Sequence, residues 1–219
     1  MEGGILVAKA LMPERGVFAV RVDESLVASG VVTEKTSGRF VVALDYGEDV
    51  GRIFCVQQYS PDVHGDRLPG FRVVRELEEQ DEKTLSENVT LSSAMRNAFL
   101  SFAKDAVHDI RIPVARLSLG RKKLFLRYIT EQTKANLSSA QEALKRQFGV
   151  EVSLWAMGPR DEVSEVGGLG PCGRVCCCCS WQRRYPVRLA PDKRTSGSLP
   201  SLVNGTCGRF KCCLAFERD

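Results

Sequence analysis

Eight of the nine cysteines lie within the last fifty residues, and they follow a doubled pattern. The stretches CGRVCCC and CGRFKCC both fit the rule C-G-R-x-x-C-C, and each position lies 35 residues from its counterpart. A thiolate is a soft ligand that suits zinc or iron–sulfur centres. The repeated thiols therefore indicate a metal or cluster site. The six cysteines of the rule are its first ligand candidates: Cys172, Cys177, Cys178, Cys207, Cys212 and Cys213.

The spacing of these thiols favours an iron–sulfur cluster over zinc. Structural zinc sites usually use two C-x2-4-C pairs. Cys176 and Cys179 form one such pair in the first copy, but the second copy has no counterpart. These two cysteines are therefore weaker candidates, and zinc stays as the alternative. A cluster needs about four thiolates, and the two copies offer six.

The other fixed residues of the rule suit a cluster loop. Gly173 and Gly208 would let the backbone turn closely beneath a sulfur. Arg174 and Arg209 would offset the negative charge of thiolates and donate hydrogen bonds to sulfur. Arginine could instead lower the pKa of a neighbouring thiol, as in a thiol redox protein. The thiol redox hypothesis is disfavoured, because the sequence has no isolated C-x-x-C motif in a thioredoxin-like context.

The composition predicts a cytosolic protein. Hydrophobic residues make up 43% and charged residues 26% of the 219 residues, as in ordinary globular proteins. No apolar run is long enough for a membrane span, and the first residues do not resemble a signal peptide. Cytosolic thiols stay reduced, so we interpret the cysteines as metal ligands rather than a disulfide framework.

No recognisable catalytic motif accompanies the cysteines, so we do not expect an enzyme. The charge is uneven, because residues 170–219 carry nine Lys/Arg against three Asp/Glu, a net of +6. Such a basic segment could contact RNA directly, with Trp181 and Tyr185 stacking on bases. The same charge could instead balance a thiolate-bound cluster.

The pattern of predicted strands and helices outside the cysteine-rich segment indicates an α+β protein. Residues 1–60 hold short runs rich in Val, Ile and Phe, separated by turns, which predicts a small β-rich N-terminal sheet or barrel. Residues 60–70 read as a linker. Residues 71–156 follow a βαββαβ order with helices over 88–110 and 137–148, typical of a ferredoxin-like core. Residues 157–219 form an irregular cysteine-rich module that a bound cluster could order.

The C-terminal residues resemble a known bacterial family. PRDEVSEVGGLGPCGR, an adjacent cysteine pair, and then SGSLPSLVNGTCGRFKCCLAFE are similar to the signature of the YaaT/RicT family, which bears the PSP-type C-terminal domain. The specific match runs over roughly residues 155–217, and weaker similarity covers most of the chain. Cys176 departs from the family pattern, where an apolar residue is usual, and Cys179 replaces a small polar residue.

The resemblance implies a cytoplasmic, non-catalytic subunit of a 4Fe–4S-binding complex. Members join two small helical partners, of the YlbF and YmcA types. The complex is linked to messenger-RNA processing by the membrane-anchored endonuclease RNase Y, and to sporulation. Carried over by motif position, the same six cysteines are the implied ligands. We therefore expect an adaptor that affects RNA turnover; the alternatives are a zinc-stabilised RNA-binding module and a thiol redox protein.

Overall fold

Short strands near the N-terminus close into a barrel. The computed structural model describes residues 5–14, 16–64, 67–104, 106–132, 136–182 and 203–215. Eight strands and five helices lie within these ranges. The first five strands form a closed barrel in the order β1-β2-β5-β3-β4. They are β1 (Leu6–Met12), β2 (Gly16–Val22), β3 (Gly38–Leu44), β4 (Gly47–Gln58) and β5 (Arg72–Glu76).

The interior of the barrel is filled by alternate residues of its strands. Val20 and Val22 of β2, Phe40 of β3 and Ile53 of β4 belong to one buried apolar cluster. β4 has 12 residues and pairs antiparallel with both β1 and β3, so it closes the barrel. A Cβ atom at Gly51 would lie 2.5 Å from the sulfur of Met12, so the close approach of these strands requires glycine. The predicted β-rich N-terminal unit is confirmed as a barrel.

The following elements keep the predicted βαββαβ order and complete an α+β fold. After β5 come α3 (Glu79–Ala103), β6 (Arg111–Leu117), β7 (Lys123–Ile129), α4 (Ser138–Phe148) and β8 (Glu151–Ala156). β6, β7 and β8 form a second sheet in that order. The second predicted helix, residues 137–148, is confirmed within one residue.

The ferredoxin-like pairing of these strands is wrong. In that arrangement β5 would join the same sheet as β6, β7 and β8. Instead β5 runs parallel to β2 and antiparallel to β3, inside the barrel. Val73 shows the reason, because it is completely buried in the barrel core and pairs with Val22 and Val42 on either side. β5 therefore joins the barrel, where Val73 is buried, and not the sheet of β6, β7 and β8.

The first long helix begins and ends earlier than predicted. It covers residues 79–103 rather than 88–110. The carboxylate of Asp81 accepts a hydrogen bond from the backbone N–H of Glu78 at 2.9 Å, which satisfies a donor just before the first turn. Thr84 lies inside the helix, and its hydroxyl donates to the carbonyl of Gln80.

Smaller elements complete the described chain. Two short helices, α1 (Glu24–Ala28) and α2 (Pro61–His64), lie in the N-terminal part, and α2 occupies the predicted linker. The cysteine-rich region contains α5 (Pro159–Val166) and two 3₁₀ turns, Cys177–Cys179 and Cys212–Ala215. Within the described ranges, every helix is too short or too polar to cross a bilayer.

Contacts between Cα atoms divide the chain into two units. The first comprises residues 1–99, 116–125 and 141–153, and the second comprises residues 100–115, 126–140 and 154–219. The barrel lies in the first unit. All the cysteines of the doubled pattern lie in the second unit.

Candidate metal centre

The doubled sequence pattern is also a doubled backbone structure. In the first copy, the N–H of Gly170 donates to the carbonyl of Arg174 at 2.8 Å. In the second copy, Gly205 donates to Arg209 at the same distance, and both residues lie 35 positions further on. Isolated antiparallel bridges follow the same offset: Leu169–Val175 and Asn204–Phe210.

A left-handed glycine turns the backbone beneath each first cysteine. Gly173 has φ 74° and Gly208 has φ 72°. Each donates its N–H, at 2.9 Å, to the carbonyl of the glycine three residues earlier. No atom would lie within 4 Å of a Cβ at either position, so the constraint is conformational rather than steric. A non-glycine residue there costs about 1–2 kcal/mol. The predicted tight turns are confirmed.

The cysteines of both copies meet around one cavity. The two 3₁₀ turns, which carry the adjacent cysteine pairs, contact each other. Between the copies lies a cavity of about 80 Å³, several times the space that one water needs. Its described lining includes all six cysteines of the rule and one more: Cys172, Cys176, Cys177, Cys178, Cys207, Cys212 and Cys213.

α5 fixes both copies beside this cavity. In the first copy, the thiol of Cys179 donates to the carbonyl of Val163 at 3.0 Å, and the hydroxyl of Ser164 donates to the carbonyl of Cys178 at 2.8 Å. In the second copy, the Arg160 guanidinium donates to the carbonyl of Phe210 at 2.9 Å. A single helix therefore bonds to the backbone of each repeat.

The ends of α5 are held in turn by capping and ion pairs. Asp161 accepts from the N–H of Gly158 at 3.0 Å, and Pro159 occupies the first helical position. On the neighbouring strands, Arg111 binds Glu162 at 2.7 Å, and Arg127 binds Glu165. This helix was not predicted because it lies in a stretch rich in glycine, although Pro159 followed by Asp161 is a helix-start signal.

Two positive charges beside the cavity were not predicted, those of Lys211 and Arg160. Arg174 and Arg209 are exposed, and neither is among the described residues that line the cavity. The guanidinium of Arg209 lies instead beside Gly158 at the start of α5. Lys211 does line the cavity, and the charge of Arg160 acts on Cys212. Lys211 occupies a variable position of the rule, so the pattern gave no signal for it.

Burial keeps several of these thiols protonated. It raises the pKa of Cys178 to about 12, and the charge of the adjacent Cys179 acts in the same direction. Burial also raises the pKa of Cys176 and of Cys212, although Arg160 opposes the effect at Cys212. A nucleophilic thiol needs a lowered pKa. These three thiols are therefore poor candidates for the nucleophile of a thiol redox reaction.

The donor set consists of thiols from both copies, which suit a soft metal ion or an iron–sulfur cluster. Four thiolates around one zinc ion lie about 3.8 Å from each other, given a Zn–S bond of about 2.3 Å. Within the described ranges, no three His, Cys, Asp or Glu side chains form a group that could hold a metal ion. The seven cysteines line one shared cavity. Several irons that share sulfide suit that arrangement.

The remaining sequence candidates lie away from this lining. Cys179 is bonded to α5 and is not among the described lining residues. Cys55 belongs to β4 of the barrel, where it pairs with Lys9. Trp181, proposed for base stacking, is exposed, whereas Tyr185 lies outside the described residues. All nine cysteines are described and remain thiols rather than disulfides.

Comparison with known proteins gives one informative match. The chain is 27% identical to the stage 0 sporulation protein YaaT of Bacillus subtilis (strain 168) over 197 residues, which cover 87% of this chain and 66% of that protein. The chain therefore spans just under two thirds of the length of this relative. No family model matches the sequence. No solved structure matches it either. This match supports the resemblance to the YaaT family that the doubled cysteine pattern indicates.

Proposed function

We propose that this chain is a non-catalytic regulatory subunit that binds a 4Fe–4S cluster between its two C-G-R-x-x-C-C repeats. The observation that carries the proposal is the cavity lined by cysteines of both copies. Four thiolates suffice for such a cluster, so the six cysteines of the rule provide a surplus. The cluster would supply an oxygen-sensitive and iron-dependent link between the two copies.

The residues of this chain would bind, shield and neutralise the group. Cys178 and Cys212 would release their protons to solvent on binding, because only the thiolate is a ligand. Val163 and Phe210 supply apolar lining that limits the access of water. Lys211 and Arg160 bring positive charge to the side of the second copy, where it would offset the charge of bound thiolates.

An exposed apolar surface supports the adaptor part of the proposal. Val166 and Leu169 are 68% and 62% exposed, and Val175, which forms a bridge with Leu169, is 56% exposed. Neighbouring apolar side chains of this kind favour a protein–protein contact. We call these three residues the Val166 patch. It lies next to the cavity, since Val175 also lines the cavity.

The partners follow from the family resemblance. The YaaT-type chain would bind YlbF-type and YmcA-type helical proteins in the cytoplasm. Through them it would influence messenger-RNA processing by RNase Y and, in an organism that forms spores, sporulation. The exposed Arg174 and Arg209 could add a direct contact with RNA. The name of the relative, a sporulation protein, supports the regulatory part of this proposal.

Anaerobic purification tests the metal assignment directly. The full chain should be coloured, with a broad visible absorption band and equal amounts of iron and acid-labile sulfide. Serine at all four cysteines of the adjacent pairs, Cys177, Cys178, Cys212 and Cys213, leaves only three of the seven cysteines that line the cavity. Because a cluster needs about four thiolates, this quadruple variant should lower the iron content at least about tenfold. Cys55→Ser is the matched control, because Cys55 lies in the barrel and should leave the iron unchanged.

Two results would contradict the proposal. A colourless protein with stoichiometric zinc and no sulfide would favour the zinc-stabilised module. Iron that survives in the quadruple variant but disappears in Cys55→Ser would move the site away from the repeats. Circular dichroism of each variant would establish that the chain still folds.

A further inference from the structure

A bulge in the barrel turns an aromatic side chain outward. The pairing of β1 with β4 shifts register between Lys9 and Ala10, which leaves Phe54 as an extra residue on β4. Ile53 beside it is completely buried, whereas Phe54 is 47% exposed. β-Bulges re-aim side chains and often lie next to functional sites. Phe54 is therefore presented to solvent on the outer face of the barrel.

Two cations lie beside this ring on the same face. Arg52, two residues before Phe54 on β4, is also exposed. Leu11 pairs with Arg52 across the strands, so Lys9, two residues earlier on β1, is the diagonal neighbour of Arg52, about 7–8 Å away. Lys9 is exposed too, and it lies opposite the bulge. The ring of Phe54 therefore has a positive charge near it on each of the two strands.

The charges of these two cations are not balanced by the barrel. Among the described residues, no carboxylate pairs with Lys9 or Arg52. A third cation, Arg39, lies directly opposite Arg52 on β3 and is paired with Glu82. Like charges that face each other across strands destabilise a sheet. The arrangement is thus unfavourable in isolation, and an anionic partner would make it favourable.

The next part of the same outer face is covered and has a different composition. Val50, two residues before Arg52, belongs to a buried apolar cluster with Leu119, and Leu85 of α3 packs against this cluster. Arg52 and Phe54, further along β4, stay exposed. The face is therefore apolar where other elements cover it, and it is basic and aromatic where the described residues leave it open.

We propose that the open face around Phe54 binds single-stranded RNA. Phosphate groups would contact Lys9 and Arg52, and a base would stack on the ring of Phe54. Positive charge beside an exposed aromatic ring suits single strands, because every base has a face that can stack. An acidic protein segment would match the charges but would leave the ring without a stacking partner. The contact lies in the first unit and does not depend on the proposed cluster.

Salt-dependent titration of the full chain tests the charged part of this proposal. The probe is a fluorescein-labelled uridine oligonucleotide of about 12 nucleotides, a common site size for single strands, and its anisotropy reports binding. Lys9→Gln combined with Arg52→Gln should reduce the slope of log affinity against log salt by about 1.4, or about 0.7 for each charge removed. Lys145→Gln combined with Arg146→Gln is the matched control, because both side chains are exposed on α4 and the net charge changes equally. The control should keep the wild-type slope.

A substitution of the ring tests the stacking. Phe54→Leu keeps an apolar side chain on the barrel but removes the aromatic face. It should weaken RNA binding about tenfold without changing the salt slope, because stacking of one base contributes a factor of that order. Phe102→Leu, at an exposed ring on α3, is the control and should bind like the wild type. Circular dichroism would establish that each variant folds.

Three results would overturn the proposal. One is an unchanged salt slope in the Lys9, Arg52 variant, because the RNA would then contact other cations. Another is an equal change in the Lys145, Arg146 control, since net charge alone would then explain binding. The third is a poly-glutamate peptide that competes as well as the RNA, together with no effect of Phe54→Leu, because the face would then fit an acidic protein. A protein that takes up no iron but binds RNA as expected would contradict the cluster and support this proposal.

Discussion

At the scale of single residues, the first unit depends on a buried carboxylate. Asp49 is fully buried and accepts hydrogen bonds from the hydroxyl of Tyr46 at 3.0 Å and the N–H of Val50 at 2.9 Å. The guanidinium of Arg116 also donates to it, at 3.0 Å through one nitrogen. A buried charge is tolerated only when it is paired and hydrogen-bonded. These contacts link β4 and β6 through one side chain.

Asp49→Asn should therefore destabilise the protein strongly. The substitution removes the charge that faces Arg116 in a largely buried place, and breaking such a pair costs about 3–5 kcal/mol. Urea unfolding followed by circular dichroism would measure the loss. Glu151→Gln is the control, because its ion pair with Lys123 spans 3.7 Å and Glu151 is exposed. That change should cost less than about 1 kcal/mol. Equal losses in the two variants would contradict this account.

At the scale of elements, the start of α3 depends on an ion pair. The Arg75 guanidinium donates to the Asp81 carboxylate, and its Nη2 lies 2.9 Å from Oδ1. The N–H of Glu78 donates to the same carboxylate. The hydrogen bond from Arg75 is the main reason that the pKa of Asp81 lies below its usual value. The helix is thereby fixed to β5, which carries Arg75.

This lowered pKa gives the helix start a pH dependence with a definite sign. In the unfolded chain the carboxyl titrates near its ordinary value of about 3.9. The stabilisation is fully present above that pH and is lost as the pH falls through the lower value of the folded state. Asp81→Asn should thus reduce the free energy of unfolding at pH 7, with a much smaller difference from wild type in strong acid. Urea unfolding midpoints of the variant and the wild type, measured at several pH values, would show this change. A difference in stability that does not depend on pH would contradict the ion pair.

Strand patterns and the cysteine repeat could be predicted because their signals are local. Residues 1–60 are β-rich, as their runs of Val, Ile and Phe predicted, and the glycine after each first cysteine has the expected turn. β1 was missed because adjacent residues such as Val7 and Ala8 are both buried, so the strand shows no alternation. The sheet that accepts β5, and the bond from Arg160 to the second repeat, depend on residues distant in sequence.

At the scale of the whole molecule, the second unit combines a cavity lined by thiols with the Val166 patch. Val175 belongs to both, so a partner bound at the patch would lie next to the cluster site. Apolar side chains that are central to an interface usually account for most of its affinity. Binding of the partner and the state of the cavity should therefore depend on each other.

Val166→Ser combined with Leu169→Ser tests the patch. If the proposed YlbF-type and YmcA-type partners bind at this patch, the double variant should bind them at least about tenfold more weakly, as for loss of an interface hot spot. It should keep its iron, because neither side chain is among the described lining residues. Val89→Ser is the matched control, since Val89 on α3 is as exposed as Val166. Titration of purified partners would measure both, and equal weakening by the control would contradict the assignment.

The 35-residue offset between the repeats has a consequence for the entropy of the chain. A group held by both copies closes a loop of that length, and the closure restricts the unfolded ensemble by about 3 kcal/mol. A disulfide between the copies would have a similar effect but would need an oxidising compartment. The proposed metal group would cross-link the two copies under reducing conditions. The cross-link would be lost when iron is scarce. The repeat spacing thus makes the second unit a cross-linked polymer when loaded and a linear one when empty.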